Sequence, residues 1–72
     1  MRLVDLRNER ALSQAKLARE IGVAPSSIAH YELGERAPHL DIARKIAAFF
    51  GVSLDDLEFA NDPREREAVS NG

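Results

Sequence analysis

The sequence predicts an all-α fold of five short helices, and three observations carry that prediction. Apolar residues recur at helical spacing, as in Leu17, Ala18 and Ile21, or Leu40, Ala43, Ile46, Ala47 and Phe50. Glycines stand just past the ends of these stripes, at Gly22, Gly34 and Gly51, where a residue tolerant of positive φ can close a helix. No stretch reads as a strand.

The first helix is expected over residues 1–9, with Leu3 and Leu6 three apart and facing inward. Arg7 lies beside them and by itself reads as a solvated charge. Ala11 and Leu12 close the link into the second helix. That helix starts at Ser13, a good N-cap, followed by Gln14. Leu17, Ala18 and Ile21 form its inner face, and Gly22 supplies the sharp turn. Val23 can plug the corner. Pro25 suits the first turn of the third helix, because its missing N–H has no partner there in any case. Ile28 and Tyr31 lie on the apolar side of this helix, Ser26, Ser27, Ala29 and His30 fall on its other faces, and Gly34 can stop it. The small Ala18 lets the two helices cross closely. Two short helices joined this way make a helix-turn-helix, whose second helix can lie in the DNA major groove.

Glu35, Arg36, Ala37 and Pro38 form the next loop, with Pro38 disfavouring helix at Ala37. The fourth helix runs from near Leu40 to Phe50 and ends at Gly51. Ser53 then caps a short fifth helix, with Asp55 and Asp56 in its first turn, favourable against the helix dipole, and Leu54 and Leu57 inward. Residues 1–59 thus make one domain. Residues 60–72 form a polar, acidic tail in which only Arg64 to Val69 has weak helical character.

Several pieces of this chain stand in a common register: Leu3-x-x-Leu6-Arg7, Leu12-Ser13-Gln14-x-x-Leu17-Ala18, Ile21-Gly22-Val23, Ile28-x-x-Tyr31-Glu32-x-Gly34, Pro38, Ile46-Ala47 and Gly51-Val52-Ser53-Leu54-Asp55-Asp56-Leu57. In order and spacing they resemble the phage-repressor/Cro, or XRE, family of helix-turn-helix domains. The resemblance implies a five-helix repressor-like bundle and a small sequence-specific transcriptional regulator of phage or prophage type. Such a protein binds duplex DNA as a homodimer in the cytoplasm, with the third helix in the major groove. It implies a partly buried ion pair between Arg7 and Glu32, since a desolvated arginine demands a carboxylate. It places Gln14 on a phosphate at the N-terminus of the second helix. By itself Gln14 also reads as a simple helix-start residue. Pro25, Ser26 and His30 occupy the family's base-reading positions, with Ser27 near the DNA backbone. This set holds no arginine for guanine and no asparagine or glutamine for adenine, so discrimination at each position should be modest. Read without the resemblance, the same residues form a solvated polar face. Arg36 and His39, flanking Pro38, are candidate phosphate contacts, while Glu35 beside them would repel phosphate.

Composition narrows the alternatives. Seventy-two residues make one small domain with a thin stability margin. There is no cysteine, so neither a disulfide framework nor a thiolate metal site is expected. No leader opens the chain and no apolar run is long enough to span a bilayer, so a soluble protein away from membranes is expected. His30 and His39 stand apart from any nucleophile, the adjacent Asp55 and Asp56 point in different directions, and no glycine loop could cradle a phosphate. An enzyme, a metal, a cofactor and a small-molecule substrate are therefore not expected. Residues 55–72 hold six acids and two bases, net −4; the other 54 residues hold six acids and eight bases, net +2, giving −2 for the chain.

Val4, Leu33, Ile42 and Phe49 fall off the core stripes, and Ile42 and Phe49, seven apart, share a face of the fourth helix. With Leu57 and Phe59, which the resemblance recruits to dimerisation, Leu33, Ile42 and Phe49 form a candidate protein interface. The low charge, the modest reading residues and this apolar surface define a rival reading. In it the chain is a protein-binding modulator or antitoxin-like partner that keeps the helix-turn-helix fold but docks on another regulator or a toxin.

Overall fold

The computed structural model describes residues 1–59. It contains four α-helices, α1 (Leu3–Glu9), α2 (Gln14–Ile21), α3 (Pro25–Leu33) and α4 (Leu40–Phe50), followed by one 3-10 turn at Leu54–Asp56. The expected tail helix over Arg64 to Val69 lies outside the described residues.

Local chemistry accounts for each boundary. The Ser13 hydroxyl accepts a hydrogen bond from the Lys16 N–H at 3.0 Å, satisfying one of the orphan donors of the first turn of α2. Gly22 ends α2 at φ 91° and Gly34 ends α3 at φ 78°, a region closed to most side chains. Pro25 opens α3 without cost. Between α1 and α2 the left-handed position falls on Ala11, at φ 53°, which stores strain that a glycine would not.

The core is a single cluster. Leu17, Ala18, Ile28 and Ile46 are 0% exposed and Leu3 2%. α2 and α3 are the most closely packed pair of helices, and the small Ala18 of α2 is fully buried. Ala43, Ile46, Ala47 and Phe50 present the inner stripe of α4.

Three expectations are corrected. The fifth helix is only the 3-10 turn, capped where the Ser53 hydroxyl accepts from the Asp56 N–H at 3.2 Å. From Leu57 to Phe59 the chain extends instead of coiling. Glu58 N–H donates to the Met1 carbonyl at 2.8 Å, within an isolated parallel bridge between Arg2 and Glu58. That pairing also makes the helical start at residue 1 incompatible with the observed one at Leu3. The second correction follows from the first. Extended backbone points alternate residues to one side, so Leu57 (1% exposed) and Phe59 (5%) both enter the core while Glu58 faces solvent. They are not free to serve as an interface. The Phe59 ring meets Tyr31 edge-on, centroids 6.4 Å apart. Third, Leu40 is 53% exposed: the inward stripe of α4 runs past the packed surface at its first residue.

Candidate nucleic-acid interface

The helix-turn-helix is α2, the turn at Gly22 to Ala24, and α3. Gly22 and Val23 N–H groups both donate to the Ala18 carbonyl, at 2.8 and 3.0 Å, which holds the corner tight. Val23 packs against the core at that corner. Ile28 and Tyr31 anchor α3 from below. On the side opposite Ile28, at successive helical spacings, lie Ser26, His30 and Leu33. Pro25, Ser26, Arg36 and His39 are exposed, and Ser27 and His30 are half-buried.

α3 is tied to α1 by charge. Arg7 Nε donates to Glu32 Oε2 at 2.6 Å and Arg7 Nη2 to Glu32 Oε1 at 3.1 Å, a two-pronged contact. Arg7 Nη1 donates to the Leu12 carbonyl at 2.8 Å, so the same guanidinium also fixes the link into α2. The side chains are 15% and 7% exposed respectively. The bond to Glu32 raises the Arg7 pKa above its ordinary value, against the opposing effect of burial.

Gln14 joins this network. Its Nε2 donates to Glu32 Oε1 at 3.0 Å, so Glu32 receives donors from α1 and from the start of α2. The amide is thereby oriented before any ligand arrives. Sequence reasoning placed Gln14 at the head of α2 but missed this contact, which spans eighteen positions and has no local signature.

His30 is also engaged. Its Nδ1 lies 2.9 Å from Glu35 Oε1, both groups being partly exposed. Spacing across a glycine stop is a signal that could have suggested this contact. Glu35 is thus no isolated acid beside the loop; it is held against the outer face of α3.

The residues proposed as a protein interface separate into three groups. Leu33 is 71% exposed. Ile42 and Phe49 are half-buried and pack on the core. Leu57 and Phe59 belong to the core itself. Phe49 is further occupied by Arg10, whose guanidinium carbon sits 5.7 Å from its ring centroid and 5.0 Å from that of Phe50. Arg10 donates to the Phe49 and Phe50 carbonyls at 3.1 and 2.9 Å. A cation there satisfies the carbonyls at the C-terminus of α4 and complements its dipole.

Among the described residues no group of three or more His, Asp or Glu side chains is placed to hold a metal. No helix there is long and apolar enough to cross a membrane.

Comparison with known proteins agrees with this geometry. The model of a family described as helix-turn-helix matches residues 3–57. The chain is 42% identical over 53 residues to the cryptic phage CTXphi transcriptional repressor RstR of Vibrio cholerae, covering 74% of this chain and 48% of that protein. It is 41% identical over 51 residues to the uncharacterized HTH-type transcriptional regulator MJ0272 of Methanocaldococcus jannaschii, covering 71% of this chain and 77% of the relative. It is 30% identical over 82 residues to the SPbeta prophage-derived uncharacterized HTH-type transcriptional regulator YonR of Bacillus subtilis, covering 99% of this chain and 76% of that one. The chain therefore spans about half the length of the phage repressor it matches. No solved structure matches it.

Proposed function

The chain belongs to the helix-turn-helix family, and from that premise we propose that it is a small DNA-binding transcriptional regulator of the phage-repressor kind. One observation carries the reading. α3 is pinned from beneath by Ile28 and Tyr31 while Ser26 and His30 face outward, and Gln14 stands pre-oriented at the head of the preceding helix. A recognition helix needs that division between a buried anchor and a polar outer face.

In this reading α3 lies in the major groove, and Pro25, Ser26 and His30 approach base edges. Gln14, Ser27, Arg36 and His39 take phosphates, which positions the domain without reading sequence. Two copies bind half-sites about one helical turn, roughly 34 Å, apart. The protein works in the cytoplasm, without a cofactor or a small-molecule substrate, and is not an enzyme.

The test is binding to duplex DNA across a salt series, using sequences selected from a random pool. Phosphate neutralisation requires log K to fall with log salt by about 0.9 for each phosphate that a cationic side chain neutralises. A flat salt response, or no selected sequence at low salt, refutes the reading.

A second reading has an observation of its own. Leu33 and Leu40, at the two ends of the α3–α4 loop, are 71% and 53% exposed, an apolar display that suits docking on another regulatory protein. Leu40→Asp, outside α3, separates the two. It abolishes partner capture if the protein works by docking, and it leaves the selected operator sequence unchanged if the protein works through Ser26 and His30.

A further inference from the structure

We infer that Glu35 sets the tautomer of His30, so that the imidazole offers Nε2 to a DNA base as a hydrogen-bond acceptor. This rests on the reading that α3 enters the major groove, and it assigns to Glu35, an acid in an unfavourable place for phosphate, a positive part in recognition.

The geometry begins at Gly34. Its left-handed φ of 78° turns the chain back over the last turn of α3, and the Glu35 N–H donates to the His30 carbonyl at 3.0 Å. Residue 35 is thus fixed by its backbone to residue 30, and its carboxylate lies 2.9 Å from His30 Nδ1. An ionised carboxylate can only accept, so the proton of this contact resides on Nδ1. In the neutral ring Nε2 then carries a lone pair, and no group among the described residues donates to it. His30 follows Ser26 by one helical turn on the side away from Ile28, so the ring edge left over belongs to the outer face of α3.

Acceptor and donor read different bases. In the major groove the exocyclic amines of adenine and cytosine donate, whereas guanine N7 and O6 and thymine O4 accept. With Nδ1 protonated and Nε2 bare, His30 selects adenine or cytosine. A histidine without Glu35 exchanges between its tautomers and loses that preference. Glu35 is a positioning residue, since it acts on the base only through the ring.

Two measurements test this, both at about pH 8.5 to keep imidazoles neutral. The first is the nitrogen-15 NMR pattern of His30 in the free protein. We expect the Nδ1–H tautomer in the wild type, a mixture in Glu35→Ala, and the Nε2–H tautomer in Glu35→Lys, because an ammonium can only donate to Nδ1. The second is selection from a randomised operator pool. The wild type takes adenine or cytosine at one position of each half-site by about five- to tenfold. Glu35→Ala flattens that position alone, and Glu35→Lys moves it to guanine or thymine. His30→Ala removes the difference between the Glu35 and Glu35→Lys backgrounds. The added lysine charge raises affinity for all sequences, so the base preference is read, not the affinity. An Nε2–H tautomer in the wild type overturns the inference. So does a position that His30→Ala flattens and Glu35→Ala leaves unchanged. A wild type that selects no sequence at low salt instead overturns the DNA reading on which the inference stands.

Discussion

Replacing Arg7 by alanine is the sharpest test of how this small domain holds its recognition helix. The substitution removes both hydrogen bonds to Glu32 and the one to the Leu12 carbonyl. The Glu32 carboxylate, 7% exposed, then keeps only the Gln14 amide as a donor. Removing one partner of a buried pair costs about 3–5 kcal/mol. The surviving Gln14 bond and partial access of water through the space left by Arg7 offset some of this, so about 2–4 kcal/mol is expected. A domain of this size holds on the order of 5 kcal/mol in all, so the variant should sit close to unfolding. Thermal unfolding followed by circular dichroism should show Tm falling by on the order of 10–20 °C. Arg7→Lys keeps the charge but loses the fork, and should lie between the two. Arg7→Met with Glu32→Leu leaves no orphaned charge and should cost far less than Arg7→Ala. The decisive number is the coupling energy from a cycle of Arg7→Ala, Glu32→Ala and the double variant. A coupling below about 0.5 kcal/mol is what exposed pairs give, and it would show that the pair is solvated and that α3 is held by apolar packing alone.

Ile28 is fully buried at the α2–α3 crossing, and Ile28→Ala should cost about 2–5 kcal/mol in urea unfolding; an unchanged midpoint would mean that α3 is rotated away from the core. Ala11→Gly should stabilise the domain by up to about 1 kcal/mol, because the left-handed φ of 53° strains alanine more than glycine; a destabilised variant would show that chain entropy outweighs the strain relieved. Gln14→Ala should weaken DNA binding alike for all sequences and leave its salt slope nearly unchanged, because an uncharged amide displaces no counterion; a change in the preferred operator would show that Gln14 reads a base.

Much of the fold was legible because its signals are local. The Ser13 cap, the stop at Gly22, Pro25 at the start of α3 and the stops at Gly34 and Gly51 are each settled by backbone chemistry within a few residues. The inward faces of α2 and α3 follow from helical periodicity, and the structure buries Leu17, Ala18, Ile21, Ile28 and Tyr31 as that periodicity requires. The pairing of Arg7 with Glu32 was reachable only through the family register, since nothing local joins positions so far apart.

Other features were beyond reach from the chain alone. Leu57 and Phe59 entered the candidate interface because the family resemblance recruits the fifth helix and its flanks to dimerisation, although Leu57 also reads as inward on that helix. They are core residues because Glu58 pairs with the first residues of the chain and holds that segment extended. Leu40 continues the periodicity of α4 yet stays exposed, since periodicity says which face a residue takes but not how far the neighbouring surface reaches. Gln14 meeting Glu32 and Arg10 covering the last carbonyls of α4 are contacts made by side-chain ends far apart in sequence. Local propensity acts along the backbone and can be read residue by residue. Where a long polar side chain finds its partner depends on helix crossings and chain turns that exist only once the helices have packed.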